Sequence, residues 1–135
     1  MSAASVLARG RRAAERLMVD ACEIVEITGT STDLDSAQVV ETAEVVYAGP
    51  CRVQQASASS ASATSELVGE ADRLMVSRVL ALPVATSTGI RAGHRVTITA
   101  CRHDPDLVGR RFVVRVEASK THATARRLGI EEVTG

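Results

Sequence analysis

Cys22-Glu23-Ile24-Val25-Glu26-Ile27 alternates polar and apolar side chains, and the same texture returns later in the chain. Val96 and Ile98 alternate with Thr97 and Thr99, and Phe112, Val114 and Val116 alternate with Val113, Arg115 and Glu117. A period of two puts every second side chain on one face of an extended strand, so most of this chain can bury its apolar residues only as β-sheet. The kind of apolar residue agrees: 18 Val and 21 Ala stand against one Phe, one Tyr and no Trp. Such a core is built from small and β-branched side chains, which favour strands over a helical bundle. Without the aromatic residues that bury most area, an isolated subunit is expected to be thinly stabilised and to lean on neighbours.

The remaining organisation follows from local signals. Ser2 to about Met18 reads as a helix, with Val6, Leu7, Ala13, Ala14, Leu17 and Met18 recurring at helical spacing and Arg9, Arg12, Glu15 and Arg16 left more exposed. Ser2 or Ser5 is placed to cap it, and Gly10 weakens its middle. Thr28 to Ser36 reads as a hairpin connection and Gln38 to Tyr47 as the returning strand. Gly49-Pro50 then forces a turn or an edge before a short strand from Cys51 to Gln55, because proline has no ladder donor.

From Ala56 to Ser65 every residue is Ala, Ser or Thr, and a long loop is expected to run on to about Asp72. Strands are expected again over Arg73 to Pro83, His94 to Cys101, Phe112 to Glu117 and Ala123 to Val133, with Asp104-Pro105 making a reverse turn. One helix and six or seven short strands in 135 residues give a single mainly β domain over 1–135. Its expected parts are a helix at 2–18, a small antiparallel β-barrel at 20–133 and a long Ser/Ala-rich loop at 56–72.

Chemistry is hard to find in the sequence. No phosphate-binding glycine loop, nucleophile elbow or metal-binding helix signature is present, so no catalytic residue, cofactor or metal is expected. Cys22, Cys51 and Cys101 are odd in number, far apart and without CxxC spacing, which points to buried thiols. His94, His103 and His122 are isolated from one another; an enzyme reading requires at least two of them to converge in one cleft. Sixteen acidic and sixteen basic residues leave no net charge, which disfavours a general DNA-coating role. No stretch approaches the roughly 20 apolar residues of a membrane span, and no membrane partner is expected.

Three basic clusters remain as candidates for contact with phosphate or with a neighbouring protein. They are Arg9, Arg11, Arg12 and Arg16 on the helix, Arg110 and Arg111 before a strand, and Arg126 and Arg127 near the end. A barrel-type nucleic-acid-binding module is the alternative these arginines suggest, although stacking on bases would require aromatic residues that the chain almost lacks.

Four words of the sequence, GRRAAERLMVDACEI, YAGPCRVQ, DPDLVGRRFVVRV and KTHATARRLGIEEV, resemble a family of small structural proteins from phages of actinobacteria. That family is similar to the head-closure, or stopper, class of head-to-tail connector proteins of long-tailed phages. The resemblance implies a β-barrel with a peripheral helix, assembled as a ring of six or twelve copies around the DNA channel in the virion neck. It implies a portal or adaptor ring on one side, a tail-terminator ring on the other, and channel DNA passing through the lumen. Assembly would take place in the bacterial host cytoplasm, and adaptor and terminator rings are the neighbouring classes. In the stopper class a long loop reaches the lumen and helps to retain DNA. The matching segment here offers Ser57, Ser59, Ser60, Ser62, Ser65 and Glu66 as plug candidates.

Overall fold

The computed structural model describes residues 2–55 and 78–133, and the segment expected to form the plug loop lies outside them, Ser57, Ser59, Ser60, Ser62, Ser65 and Glu66 included. The first five residues of the strand expected from Arg73 lie outside them too. Helix α1 spans Ala3–Arg16 and is followed by strands β1 (Asp20–Thr32), β2 (Val39–Gln55), β3 (Arg78–Leu82), β4 (Arg95–Ala100), β5 (Arg111–Ala118) and β6 (Arg126–Glu132). The strands close into a barrel in the order β1-β2-β3-β6-β5-β4, every pair antiparallel, with β4 returning to β1. The fold is the small antiparallel barrel with an N-terminal helix that the alternation predicts.

Closure follows from the period of two. Ile24, Leu80, Leu82, Val96, Ile98 and Phe112 are wholly buried and point inward, while their sequence neighbours face out. Phe112 and Tyr47 supply the two aromatic rings of this core, and the Arg78 guanidinium carbon lies 5.5 Å from the Phe112 centroid. Cys22 and Cys51 are buried free thiols in the same core.

The helix begins where the sequence places it. Ser2 is extended and its Oγ accepts from the Ser5 backbone N–H at 3.2 Å, satisfying one donor of the first turn. Its docking face differs from the expected apolar stripe. Leu7, Gly10, Arg11 and Ala14 are partly buried, whereas Val6 and Leu17 are 54% and 52% exposed and Ala13 is exposed. The reason is close approach: Ala14 packs with Met18 over Ala81 and Ala125 on the outside of the barrel, and a helix seats on small residues more closely than on large ones.

Two further expectations are corrected. The Thr28 to Ser36 connection is mostly strand, because Thr30, Ser31 and Thr32 continue the ladder opposite Glu41, Val40 and Val39. The turn is confined to Asp33 through Gln38, where Asp33 carboxylate oxygens accept from the Asp35 N–H and the Ser36 hydroxyl, both at 3.0 Å. Gly49-Pro50 does not end a strand, since β2 runs through it as one element. Pro50 faces Ala21 of β1 while pairing with β3 begins only at Arg52, so proline sits where one side of the strand is an edge. β6 starts at Arg126 rather than Ala123, and the expected Asp104 turn is present, with Oδ1 accepting from the Asp106 N–H at 3.1 Å.

Candidate functional site

Pairing of β1 with β4 stops at Val25, and β2 meets β3 only from Arg52 onward. Beyond these points β1 and β2 continue as a two-stranded arm, with no third strand beside it among the described residues. Such a ribbon has little to stabilise it alone. Its apolar side chains are open to solvent: Leu34 at the tip is 95% exposed and Val39 67%, and Val40 and Val45 are also exposed.

The arm is strongly acidic. From Glu26 to Val45 the sequence holds five carboxylates, Glu26, Asp33, Asp35, Glu41 and Glu44, and no Lys or Arg. Glu41 is bridged by Arg95, whose Nη2 lies 3.2 Å from Oε1. Glu26 and Glu44 stand directly opposite each other in the ladder, and neither has a cation among the described residues. Like charges directly opposite on a sheet destabilise it.

A basic face lies on the other side of the molecule's charge balance. In the ladder Arg52, Ala81 and Arg127 stand in one row across β2, β3 and β6, and Ala81 is the residue that α1 covers. Arg52 and Arg127 therefore flank the helix, which carries Arg9, Arg12 and Arg16 exposed on its surface. Arg12, Arg16, Arg52 and Arg127 form no side-chain hydrogen bond or ion pair with a described residue.

The other candidate arginines serve the chain itself. Arg11 donates from Nε to the Ala123 carbonyl at 3.1 Å and holds α1 to the β5–β6 connection. Arg110 grips Asp106 and lies 3.7 Å from Glu132, leaving Arg111 exposed beside it. Arg126 donates to Ser87 Oγ at 2.9 Å and to the Val84 carbonyl at 3.1 Å; Ser87, wholly buried, in turn donates to the Pro83 carbonyl. Both sequence pairs, Arg110-Arg111 and Arg126-Arg127, are thus divided into one engaged and one open guanidinium.

The histidines are distributed around the barrel. His94 is buried just before β4, its Nδ1 accepting from the Arg91 N–H at 3.1 Å, whereas His103 follows the far end of that strand. His122 lies exposed in the β5–β6 connection at positive φ. A shallow depression lined by Ile90, Arg91, Glu117, Ser119 and Arg126 includes no histidine. Among the described residues no group of three His, Cys, Asp or Glu is placed to hold a metal ion, and no helix is long and apolar enough to cross a membrane.

Arg52, Glu26 and Glu44 carry no motif and were not singled out by their sequence neighbourhood. The readable signal is the acidic run of the arm, which has no interspersed base.

No curated protein matches the sequence. Among solved structures, the solution structure of protein SF1141 from Shigella flexneri 2a is similar, with 15% identity, a TM-score of 0.58, and coverage of 85% of this chain and 92% of that one. At this identity the likeness is one of fold. Residues 10–131 match a family of unknown function, DUF6093, a span that takes in the second half of α1 and the strands from β1 into β6. The chain belongs to the DUF6093 family.

Proposed function

We propose that this chain is a structural subunit of the head-to-tail connector of a tailed phage, a stopper ring that closes the DNA-filled head and offers a surface for tail attachment. The observation that carries the proposal is the two-stranded arm, whose apolar side chains are exposed among the described residues of the single chain. A ring neighbour would bury them, and binding energy gained only in the folded state would stabilise a subunit with a thin core. The four sequence words that resemble connector proteins support the same reading, as does the balanced charge of a component that must let DNA pass without holding it.

Removal of the gene tests the role. Heads that package DNA and then leak it are expected, with unjoined tails; stable DNA-filled heads would overturn the stopper role and leave the adaptor or terminator position. Substitution within 57–65 separates plug from adhesive ring, since retention is lost only if that segment closes the channel.

A second reading, a nucleic-acid-binding barrel, is favoured by the open guanidinium groups of Arg12, Arg16, Arg52 and Arg127. Tyr47 and Phe112 are both buried, so neither offers a stacking platform. A gel-shift titration at low salt decides it: binding that falls steeply with salt supports this reading, and no retardation removes it.

A further inference from the structure

We propose that the acidic arm of one copy docks on the α1 face of the next copy, with Arg12 and Arg16 as counter-ions of the Glu26–Glu44 pair. The contact rests on the ring reading and names the surfaces that would make it. Three observations carry it.

First, Glu26 and Glu44 are opposed across the ladder without a cation among the described residues, while Glu41 on the other face of the same arm has Arg95. A cation from outside the chain would convert the repulsion into attraction. Second, Arg12 and Arg16 lie on the exposed part of α1 without a partner among the described residues, and no ion pair among those residues joins the arm to α1. Arg52 and Arg127 extend the positive face beneath the helix.

Third, both surfaces combine charge with exposed apolar side chains. Val40 shares the ladder face of Glu44 and Leu34 crowns the arm, while Val6 and Leu17 stand exposed on the helix. Charge pairing then fixes register while apolar contact supplies burial. Within a chain of zero net charge, the arm is acidic and the α1 face is basic.

Arm and helix are different patches, so the contact is heterologous: it repeats head to tail and closes into a ring when the rotation between copies allows. A DNA partner for the arm is disfavoured by its sign, since five carboxylates repel phosphate.

Charge reversal tests the contact. Native mass spectrometry and light scattering are used on the full chain, on Glu26→Arg/Glu44→Arg, on Arg12→Glu/Arg16→Glu, and on an equimolar mixture of the two variants. The wild-type chain is expected to associate at low salt and to dissociate as salt is raised. Each variant is expected to weaken association by about tenfold or more, and the mixture to regain it because every interface again joins opposite charges. All four positions are exposed, and thermal unfolding by circular dichroism confirms that each variant folds.

A wild-type chain that stays monomeric at every concentration overturns the contact, as do variants that associate like wild type, or a mixture that stays dissociated. None of these results touches the stopper role, which the leakage of DNA from heads decides separately.

Discussion

Gly10 faces Thr124 so closely that a Cβ at position 10 would stand 2.8 Å from the Thr124 methyl carbon. In an open helix alanine is favoured over glycine by about 1 kcal/mol. Here the gain is opposed by a contact closer than side chains tolerate, so Gly10→Ala is expected to destabilise. Thr124→Ser removes the opposing methyl, and in that background Gly10→Ala is expected to stabilise by roughly 0.5–1 kcal/mol. Urea unfolding of the four proteins of this cycle measures the reversal; equal effects in both backgrounds would refute the close packing of α1.

Tyr47 is the second site with a definite sign. Its hydroxyl donates to the Pro50 carbonyl at 2.5 Å, and burial, followed by the neighbouring Cys22 and Cys51 thiols, pushes its pKa from 10.0 up to about 12. The fold therefore favours the neutral phenol. This contribution is complete below about pH 10, where the unfolded tyrosine is protonated too, and is lost as pH rises towards about 12. Its size is about 2–3 kcal/mol. Tyr47→Phe is expected to cost about 1 kcal/mol at neutral pH and to flatten the alkaline limb of stability. Denaturant midpoints of both proteins across the alkaline range test this, the difference between them isolating Tyr47 from other groups.

Among the described residues Phe112 is the largest wholly buried side chain. Phe112→Ala is expected to cost about 3–5 kcal/mol, a large share of the 5–15 kcal/mol typical of a whole domain. Arg78→Met, which removes the cation over the ring and the 2.9 Å bridge to Glu132, is expected to cost about 1 kcal/mol. Differential scanning calorimetry ranks the two. A Phe112→Ala protein with wild-type cooperativity and midpoint would mean that the core does not depend on this ring.

Arg126 and Arg127 are adjacent in sequence yet should respond differently. Arg126→Lys keeps the charge but loses the planar fork that reaches Ser87 and Val84 together, and is expected to cost about 1–3 kcal/mol. Arg127→Lys, at an exposed position, is expected to stay within about 0.5 kcal/mol of wild type. Thermal unfolding of the two variants side by side checks the contrast.

The contrast also explains what could be read before the fold was known. Ile24, Val96, Ile98, Phe112 and Val114 were legible as one buried face because a strand must alternate. The same period makes a pair of adjacent arginines misleading. Neighbours in a strand point to opposite faces, so Arg126 turns to Ser87 and Arg127 to solvent, and a cluster in sequence is no patch in space. The basic face is assembled instead from Arg52 and Arg127, which the ladder brings into one row from distant strands. Docking of α1 was illegible for a related reason. Hydrophobic periodicity selects Val6 and Leu17, but close approach selects Gly10, which meets Thr124, and Ala14, which packs with Ala81 and Ala125. Gly49-Pro50 gives the same local signal for a turn and for an edge; the distinction rests on where β3 begins to pair.

Closure of the barrel through β1 and β4 has a consequence for synthesis. β1 finds β2 as soon as the arm is made, but its opposite side waits for a partner about 70 residues later, as in Ile24 opposite Val96. At roughly 5–20 residues per second, a ribosome leaves that strand border unpaired for several seconds. During this interval nascent chains on one polysome present open β1 borders to each other, and intermolecular pairing competes with completion of the fold. Yield in a host cell is accordingly set by how fast residues 95–100 arrive, and slowing translation between Gln55 and Arg95 is the surest way to turn a soluble product into an aggregate.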